Sequence, residues 1–155
     1  MVWSKNNVLN ARKSLGKISR SLGKTGEYLA MYDIALQGYE CFEINGNMSF
    51  DLGLVNNGDV IKVQVKSTSK KRNKKSYQFR ICRTTRKMKS SKKTVYKEKH
   101  YNTYDVDILA LVFIPLKKVI YIPFSCVVDK KYFNLNGDEE FNLEQCLEIY
   151  RETKE

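Results

Sequence analysis

Residues 50–67, FDLGLVNNGDVIKVQVKS, predict a β-hairpin with a tight turn. The central pair Asn57-Gly58 is typical of a two-residue type I′ turn, because both turn positions need a positive φ that these residue types tolerate. If these two residues form the loop, counting inward along the strands places Asp51 directly opposite Gln64. Side chains paired in this way have Cβ atoms about 4.5–5.5 Å apart on one face of the sheet. A single divalent cation could therefore contact both.

The alternation of side chains along both predicted strands agrees with this register, which also pairs Val55 with Val60. Apolar residues point to one face and polar residues to the other. The apolar set is Phe50, Leu52, Leu54, Ile61, Val63 and Val65, and the opposite set includes Asp51, Gly53, Lys62, Gln64 and Lys66. Gly53 would leave room beside Asp51 for the close approach of a backbone or a phosphate. The alternative is an ordinary half-exposed hairpin whose polar residues face water.

A helix is predicted over residues 25–37, with Gly38 as its C-terminal stop. Its apolar stripe consists of Ala30, Met31, Ile34 and Ala35. Glu27 lies on the same stripe, where a carboxylate is costly unless it is hydrogen-bonded or near a cation. We therefore consider Glu27 a candidate site residue. The alternative is an acid in the first turn that complements the helix dipole.

The remaining elements predict an α/β or α+β fold with a mixed sheet of about six strands flanked by helices. Besides the hairpin, strands are predicted over residues 39–44, 77–83, 106–113 and 119–123, and a closing helix over residues 142–151. The segment 106–113 is nearly all apolar, as in a central strand buried on both faces. Residues 84–99 are too polar for a core and are predicted to form a loop.

A chain of 155 residues, of which 42% are hydrophobic, has the size of one ordinary domain. We expect a single domain over residues 1–155. Residues 1–22 would form a basic N-terminal arm or short helix, residues 23–125 the core, and residues 126–155 a C-terminal segment with the closing helix.

The formal net charge of +11 favours a polyanionic partner, because each phosphate that a basic side chain neutralises releases condensed counterions. Residues 66–99 contain fifteen Lys or Arg and a single acid, Glu98. Nucleic acid is therefore the expected partner. The alternative is a basic protein with no specific partner.

The four cysteines are scattered and His100 is the only histidine, so the clustered ligands of a structural zinc site are missing from the sequence. The first residues are polar, and no apolar run is long enough to span a bilayer. We expect an intracellular protein, in the cytoplasm or nucleoid, with no secretion signal and no membrane partner.

Several of these residues together resemble the core of the PD-(D/E)XK nucleases. The motifs are Gly23-Lys-Thr-Gly-Glu27, Gly38-Tyr39, Asp51, Val63-Gln-Val-Lys66-Ser67, Tyr101 with Tyr104-Asp105, and Tyr121-Ile-Pro123. The closest subgroup is the small homing endonucleases associated with group I introns. Phe50 departs from the family pattern where its name has proline, and Gln64 departs where most members have an acid. The glutamine favours the intron-associated subgroup and counts against a typical restriction enzyme.

The resemblance implies a metal-dependent endonuclease that hydrolyses phosphodiester bonds in double-stranded DNA at a specific site. It implies Mg²⁺ as the cofactor, for which Mn²⁺ can substitute. The implied catalytic residues are Glu27, Asp51, Gln64 and Lys66. The implied metal ligands are Asp51, the Gln64 side-chain oxygen, the Val65 carbonyl and, directly or through water, Glu27. Lys66 would orient a water molecule or offset charge that develops on the phosphoryl oxygens.

The candidates for DNA contact lie in the basic stretch. They are Lys70, Lys71, Arg72, Lys74, Lys75, Gln78, Arg80, Arg83, Arg86, Lys87 and Lys89. Gln78 and Arg80 are candidates for base edges, because arginine pairs bidentately with guanine. Cutting both strands needs two active sites, so a homo-oligomer, a dimer or tetramer, is expected.

Two further functions stay open at this point. The first is a junction-resolving or repair nuclease that recognises DNA shape. The second is a catalytically inactive DNA-binding protein with a nuclease-like core, for which the neutral Gln64 is the best argument. An RNA-associated protein would rest on charge alone.

Overall fold

The computed structural model describes residues 5–46, 48–88 and 94–154 of the chain. Two helices and ten strands occur in these residues, with short 3-10 turns at Ile114–Leu116 and Phe124–Cys126. The elements are α1 Lys5–Leu36, β1 Glu40–Glu43, β2 Leu52–Asn56, β3 Asp59–Thr68, β4 Lys71–Arg72, β5 Ser76–Arg80, β6 Arg83–Met88, β7 Thr94–Lys99, β8 Ile108–Phe113, β9 Lys118–Pro123, β10 Tyr132–Leu135 and α2 Leu143–Glu152.

The main sheet has five strands in the order β1-β2-β3-β8-β9. It is mixed, because β3 and β8 run parallel while the other neighbours are antiparallel. Strands β10, β5 and β4 form a second sheet, and β6 and β7 form a two-stranded ribbon. The α+β class with a mixed sheet and flanking helices is therefore confirmed.

Helix α1 begins twenty residues before the predicted start at residue 25, because the basic segment continues the same helix from Lys5. Its predicted end is confirmed by Gly38, which has φ 83° and donates its N–H to the Ala35 carbonyl. Glu27 consequently lies far from the helix N-terminus. The alternative interpretation of Glu27 as a first-turn acid on the helix dipole is wrong.

Two apolar layers pack on opposite faces of the main sheet. On one face α1 and α2 cover the sheet with buried residues that include Ile34, Val63 and Leu147. On the other face β5 and the segment after β9 contribute buried aromatic residues that include Phe79 and Phe124. All six residues of β8 are buried, which confirms the prediction of a central strand covered on both faces.

The strands after the hairpin differ from the prediction in two ways. The segment predicted over residues 77–83 ends at Arg80 and belongs to the second sheet, so five strands rather than about six form the main sheet. Residues 84–99 were expected to form a loop, whereas β6 and β7 pair in antiparallel register from Arg83↔Lys99 to Met88↔Thr94. A polar segment can form such a ribbon because pairing satisfies its backbone donors and acceptors.

A partly buried hydrogen-bond network joins α1, β9 and α2. The Tyr121 hydroxyl donates to Asp33 Oδ2 over 2.7 Å, and Gln37 Nε2 donates to the same oxygen over 2.6 Å. The Gln37 amide oxygen in turn accepts from the Leu143 N–H at the start of α2 over 3.1 Å. This network links α1 to the sheet and to the start of α2. No helix in the described part of the chain has an apolar stretch long enough to cross a bilayer.

Candidate active site

The hairpin has the predicted register. Strands β2 and β3 pair from Asn56↔Asp59 inward to Leu52↔Val63. The regular pairing ends there, because the Asp51 N–H donates over 3.0 Å to the carbonyl of Val63, the residue already paired with Leu52. The prediction that Asp51 pairs directly with Gln64 in the ladder is therefore wrong, although its side chain does lie next to residues 64 and 65.

The Asp51 carboxylate and the Gln64 amide are in direct contact. Asp51 Oδ2 accepts hydrogen bonds from the Val65 N–H over 2.8 Å and from Gln64 Nε2. Gln64 Nε2 also donates to the Val65 carbonyl oxygen over 3.2 Å, and only 6% of Gln64 is exposed. The amide hydrogens of Gln64 thus point to the Asp51 carboxylate and the Val65 carbonyl, which are the two other groups predicted to bind the metal on this hairpin. Rotation of this amide by half a turn would present its oxygen instead.

Burial raises the pKa of the Asp51 carboxyl group, and the nearby Glu27 carboxylate raises it further. The Val65 N–H and the charges of Lys66 and Lys24 act in the opposite direction and lower this pKa. The predicted catalytic residues Glu27, Asp51, Gln64 and Lys66 therefore lie in one electrostatic neighbourhood, although they come from a helix and two strands.

Helix α1 approaches β3 at a glycine next to Glu27. A Cβ atom on Gly26 would lie 2.6 Å from Ser67 Cβ, so only a glycine lets the helix backbone pass over the strand at this distance. This close approach sets the position of Glu27 relative to the hairpin.

Two charged residues that the sequence analysis missed complete this side of the site. Lys24 Nζ donates to Glu27 Oε2 over 2.7 Å and also forms an ion pair with the Glu43 carboxylate at the end of β1. The hydrogen bond to Glu27 raises the pKa of Lys24. The spacing of three residues between Lys24 and Glu27 on a helix was an available signal for their contact. Nothing in the sequence pointed to Glu43.

Lys66 is held by an aromatic residue on the other side of the site. Its Nζ donates to the Tyr101 hydroxyl over 3.0 Å and lies 5.0 Å from the centre of the Tyr101 ring. Tyr101 is 7% exposed and packs edge-on against Phe124. A buried, packed tyrosine therefore restrains the ammonium group of Lys66 near Asp51.

The donor atoms gathered here suit a hard divalent cation. Within the described ranges, no three His, Cys, Asp or Glu side chains come together as a metal cluster. Two carboxylates, from Asp51 and Glu27, the Gln64 amide oxygen and the Val65 carbonyl are all oxygen donors. Mg²⁺ commonly takes one or two protein carboxylates and completes its coordination with waters and substrate oxygens, so this sparse set fits it.

Comparison with known proteins decides the family. The family model described as PD-(D/E)XK endonuclease matches residues 18–140. The chain belongs to this family. A solved structure described as a bacterial homing endonuclease, I-Ssp6803I, is similar to this PD-(D/E)XK endonuclease with a TM-score of 0.66 and 19% sequence identity. The similarity covers 87% of this chain and 95% of that chain and shows the shared fold. A search of curated proteins finds no match.

In this endonuclease, the basic residues that follow β3 lie on an exposed hairpin beside the candidate site. Lys71 and Arg72 form β4, and the exposed pair Asn73-Lys74 makes the turn with φ values of 50° and 59°. Lys70 and Lys75 are also exposed, and neither forms an ion pair with the part of the chain that the structure describes. Five basic side chains are thus presented just after the end of β3.

The two residues predicted to contact base edges are engaged within the protein. Gln78 accepts from Arg72 Nη1 over 2.7 Å and donates to Asn134. Arg80 Nη2 forms an ion pair with Glu98 Oε1 at 2.7 Å, and Lys131 pairs with the other Glu98 oxygen at the same distance. Glu98 therefore ties the β6–β7 ribbon to the second sheet.

The remaining predicted contacts fall on the ribbon. Arg83, Arg86 and Lys87 lie on β6 rather than in a loop. Lys89 lies outside the described residues. A two-stranded ribbon is one of the elements that fit the major groove of DNA.

The glycine beside the site has a different role from the predicted one. Gly53 was expected to leave room for a backbone or a phosphate. The Phe42 ring of β1 fills that space instead, since a Cβ on Gly53 would lie 2.4 Å from the ring edge. The aromatic ring closes this part of the hairpin face.

Proposed function

We propose that this chain is a Mg²⁺-dependent endonuclease that cleaves double-stranded DNA at a specific site, as an intron-associated homing endonuclease does. The observation that carries the proposal is the convergence of the Asp51 carboxylate, the Gln64 amide and the Val65 carbonyl, with Lys66 close by. Membership of the endonuclease family and the shared fold with a homing endonuclease support it.

Asp51, Gln64 and the Val65 carbonyl would hold the Mg²⁺ ion, with Glu27 as a further ligand directly or through water. A bound divalent cation would supply Lewis-acid polarisation of the scissile phosphate and a more acidic water molecule. Mn²⁺ offers similar ligand preferences and would substitute. Binding requires the Gln64 amide to turn its oxygen inward, since its nitrogen now donates to the other two donor groups.

The protein's own groups would orient the reaction. The Lys66 ammonium group, restrained by Tyr101, would lie beside the phosphoryl oxygens and offset the negative charge that grows on them. Lys24 would hold Glu27 in place through their hydrogen bond, and Glu43 would balance the charge of Lys24. Tyr101 and Lys24 act through other residues and are positioning residues.

The exposed lysines and arginines after β3 would bind the phosphates on one side of the cut. Replacing Lys70 or Lys75 with alanine should weaken DNA binding about equally for all sequences and lower the slope of log K against log salt by about 0.9 for each lost phosphate contact. Binding titrations at several salt concentrations measure this slope. Lys70→Arg keeps the charge and should keep the slope, and an unchanged slope in both alanine variants would exclude these residues from the DNA contact.

One chain would form one nuclease domain with one active site, so cleavage of both strands would need a second copy. We propose a homo-oligomer, a dimer or tetramer. Light scattering on the purified protein, alone and with DNA, would measure its mass, and a strictly monomeric protein that cuts both strands together would contradict this assembly.

The function is tested by incubating the protein with a plasmid library in Mg²⁺, Mn²⁺ or EDTA and sequencing the new ends. Recurrent ends in one sequence context, absent in EDTA, are expected. Branched DNA in the same assay separates a junction-resolving or repair nuclease, which would prefer branches to any duplex sequence. Binding without cleavage in either metal would identify an inactive DNA-binding protein with a nuclease-like core.

The raised pKa of Asp51 leads to a stability prediction in the absence of metal. The folded protein holds a proton on Asp51 more tightly than the unfolded chain, so this group's contribution to stability falls as pH rises from the unfolded pKa through the folded pKa. Asp51→Asn removes the buried charge and can keep both accepted hydrogen bonds. In EDTA at neutral pH, the variant should unfold with a free energy about 1 kcal/mol higher than the wild type.

Urea unfolding in EDTA at neutral and at acidic pH measures this difference. The difference in the free energy of unfolding between Asp51→Asn and the wild type should be smaller at acidic pH. There Asp51 is protonated in both the folded and the unfolded wild-type chain. A variant less stable than the wild type at neutral pH would show that the carboxylate stabilises the fold.

A further inference from the structure

Lys62 precedes the candidate site on β3 and has no role in the function proposed above. Lys62, Gln64 and Lys66 alternate along one face of β3, so neighbouring members are about 7 Å apart. This spacing resembles that of successive phosphates on one DNA strand. Among the described residues, Lys62 forms no ion pair with a carboxylate, and its Nζ donates to the backbone carbonyl of Tyr104. Its charge is therefore available to a phosphate.

Tyr104, which accepts that hydrogen bond, is 86% exposed. It is the most exposed of the large hydrophobic side chains in the described part of the chain. No hydrogen bond of the described structure involves its hydroxyl group. The ring projects into solvent next to Lys62.

Hydrogen bonds and buried flanking residues hold the turn that carries Tyr104. Asn102 Oδ1 accepts from the N–H groups of Tyr104 and Asp105 over 2.9 Å each, and the Asn102 carbonyl accepts from the Asp105 N–H over 3.0 Å. Buried Tyr101 and Val106 anchor the turn at both ends. A ring presented on such a preorganised turn loses little conformational entropy when it binds.

The space around this pair adjoins the candidate site. A pocket of about 230 Å³ lies between Lys62, Tyr104 and Phe50, the residue before Asp51. Two carboxylates lie near this pocket, and both are engaged within the protein. Asp105, which also lines the pocket, accepts from the Asn102 N–H over 3.4 Å. Asp107 accepts from the Lys62 N–H over 2.8 Å and lies 3.5 Å from Lys154 Nζ. The basic hairpin after β3 lies at the opposite end of the strand.

We propose that Lys62 and Tyr104 form a subsite for the nucleotide next to the scissile phosphate, on the side away from the basic β4–β5 hairpin. The Lys62 ammonium group binds the phosphate of that nucleotide, and the Tyr104 ring packs against its deoxyribose and the edge of its base. The inference rests on the proposed function, since it takes β3 as the strand that lies along the substrate.

The test measures binding of a short mixed-sequence duplex in EDTA and cleavage in Mg²⁺. Tyr104→Ala should weaken binding about tenfold, because the apolar contact of the ring with the nucleotide is lost, and Tyr104→Phe should bind as the wild type. Lys62→Gln keeps a donor for the Tyr104 carbonyl and should lower the salt slope by about one phosphate contact. Tyr32→Ala removes another exposed tyrosine, from α1 on the opposite face of the sheet, and should change neither quantity.

Photocrosslinking gives an independent readout. A duplex substituted with 5-iodouracil should crosslink to Tyr104, and mass spectrometry identifies the modified peptide. Wild-type binding by Tyr104→Ala, or crosslinks that leave this turn unmodified, would overturn the subsite.

The two proposals fail in different ways. If Tyr104→Ala and Lys62→Gln both cleave DNA at the wild-type rate, the proposed subsite is wrong and the proposed nuclease function stands. If DNA binding and crosslinking depend on Tyr104 but no metal supports cleavage, Tyr104 does contact DNA and the proposed nuclease activity is wrong. A wild-type protein that does not bind duplex DNA overturns both.

Discussion

Asp51→Asn is expected to reduce DNA cleavage in Mg²⁺ at least 1,000-fold, the scale on which loss of a principal charge-stabilising group acts. The asparagine oxygen can still accept from the Val65 N–H and the Gln64 amide, so the hairpin should keep its shape. What is lost is the negative charge that would hold the cation. Single-turnover cleavage of the preferred site measures the effect, and circular dichroism and DNA binding in EDTA should be unchanged.

Asp59→Asn is the matched control, because this exposed aspartate lies on the same hairpin at the turn end. It should cleave at the wild-type rate. Lys66→Ala should also abolish cleavage while leaving folding and DNA binding nearly intact. Full activity in Asp51→Asn or Lys66→Ala, or cleavage that EDTA does not affect, would show that the chemistry lies elsewhere.

Gly26→Ala is expected to lower cleavage by about 10- to 100-fold, although alanine is the better helix former. The new methyl group would lie 2.6 Å from Ser67 Cβ and 2.8 Å from Ser67 Oγ, so α1 must move away from β3. Glu27 moves with the helix and leaves its place beside Asp51. The strain should also reduce the free energy of unfolding by about 1–3 kcal/mol, which urea unfolding measures.

Two variants test whether the clash between residue 26 and Ser67 is the cause of the lost activity. Gly23→Ala lies one turn earlier on α1, where an added Cβ meets nothing within 4 Å, and it should be active and slightly stabilised. Ser67→Gly in the Gly26→Ala background removes the clashing atoms and should restore part of the activity. A fully active Gly26→Ala protein would mean that the position of Glu27 relative to β3 does not matter for cleavage.

The candidate site was predictable from the sequence because its central residues lie on adjacent strands joined by a short turn. Asn57-Gly58 determined the loop, and alternation of apolar residues determined the face, so the contact between Asp51 and Gln64 followed from local rules. The stop of α1 at Gly38 followed in the same way, as did three residues of its apolar stripe, Ala30, Met31 and Ile34. The fourth predicted member of the stripe, Ala35, is exposed. Each of these features depends on residues close together in the chain.

Other contacts depend on residues that only the folded chain brings together. Lys66 and its partner Tyr101 are 35 residues apart, and the ion pair of Arg80 with Glu98 joins two sheets whose relative placement no periodicity encodes. The second sheet arose because β5 pairs with β10, a partner far along the sequence, rather than with the main sheet. The sequence by itself thus determined the hairpin register and the helix face. Tertiary packing decided which distant side chains contact Lys24 and Lys66, because such contacts depend on the packing of whole elements rather than on turn chemistry or alternation.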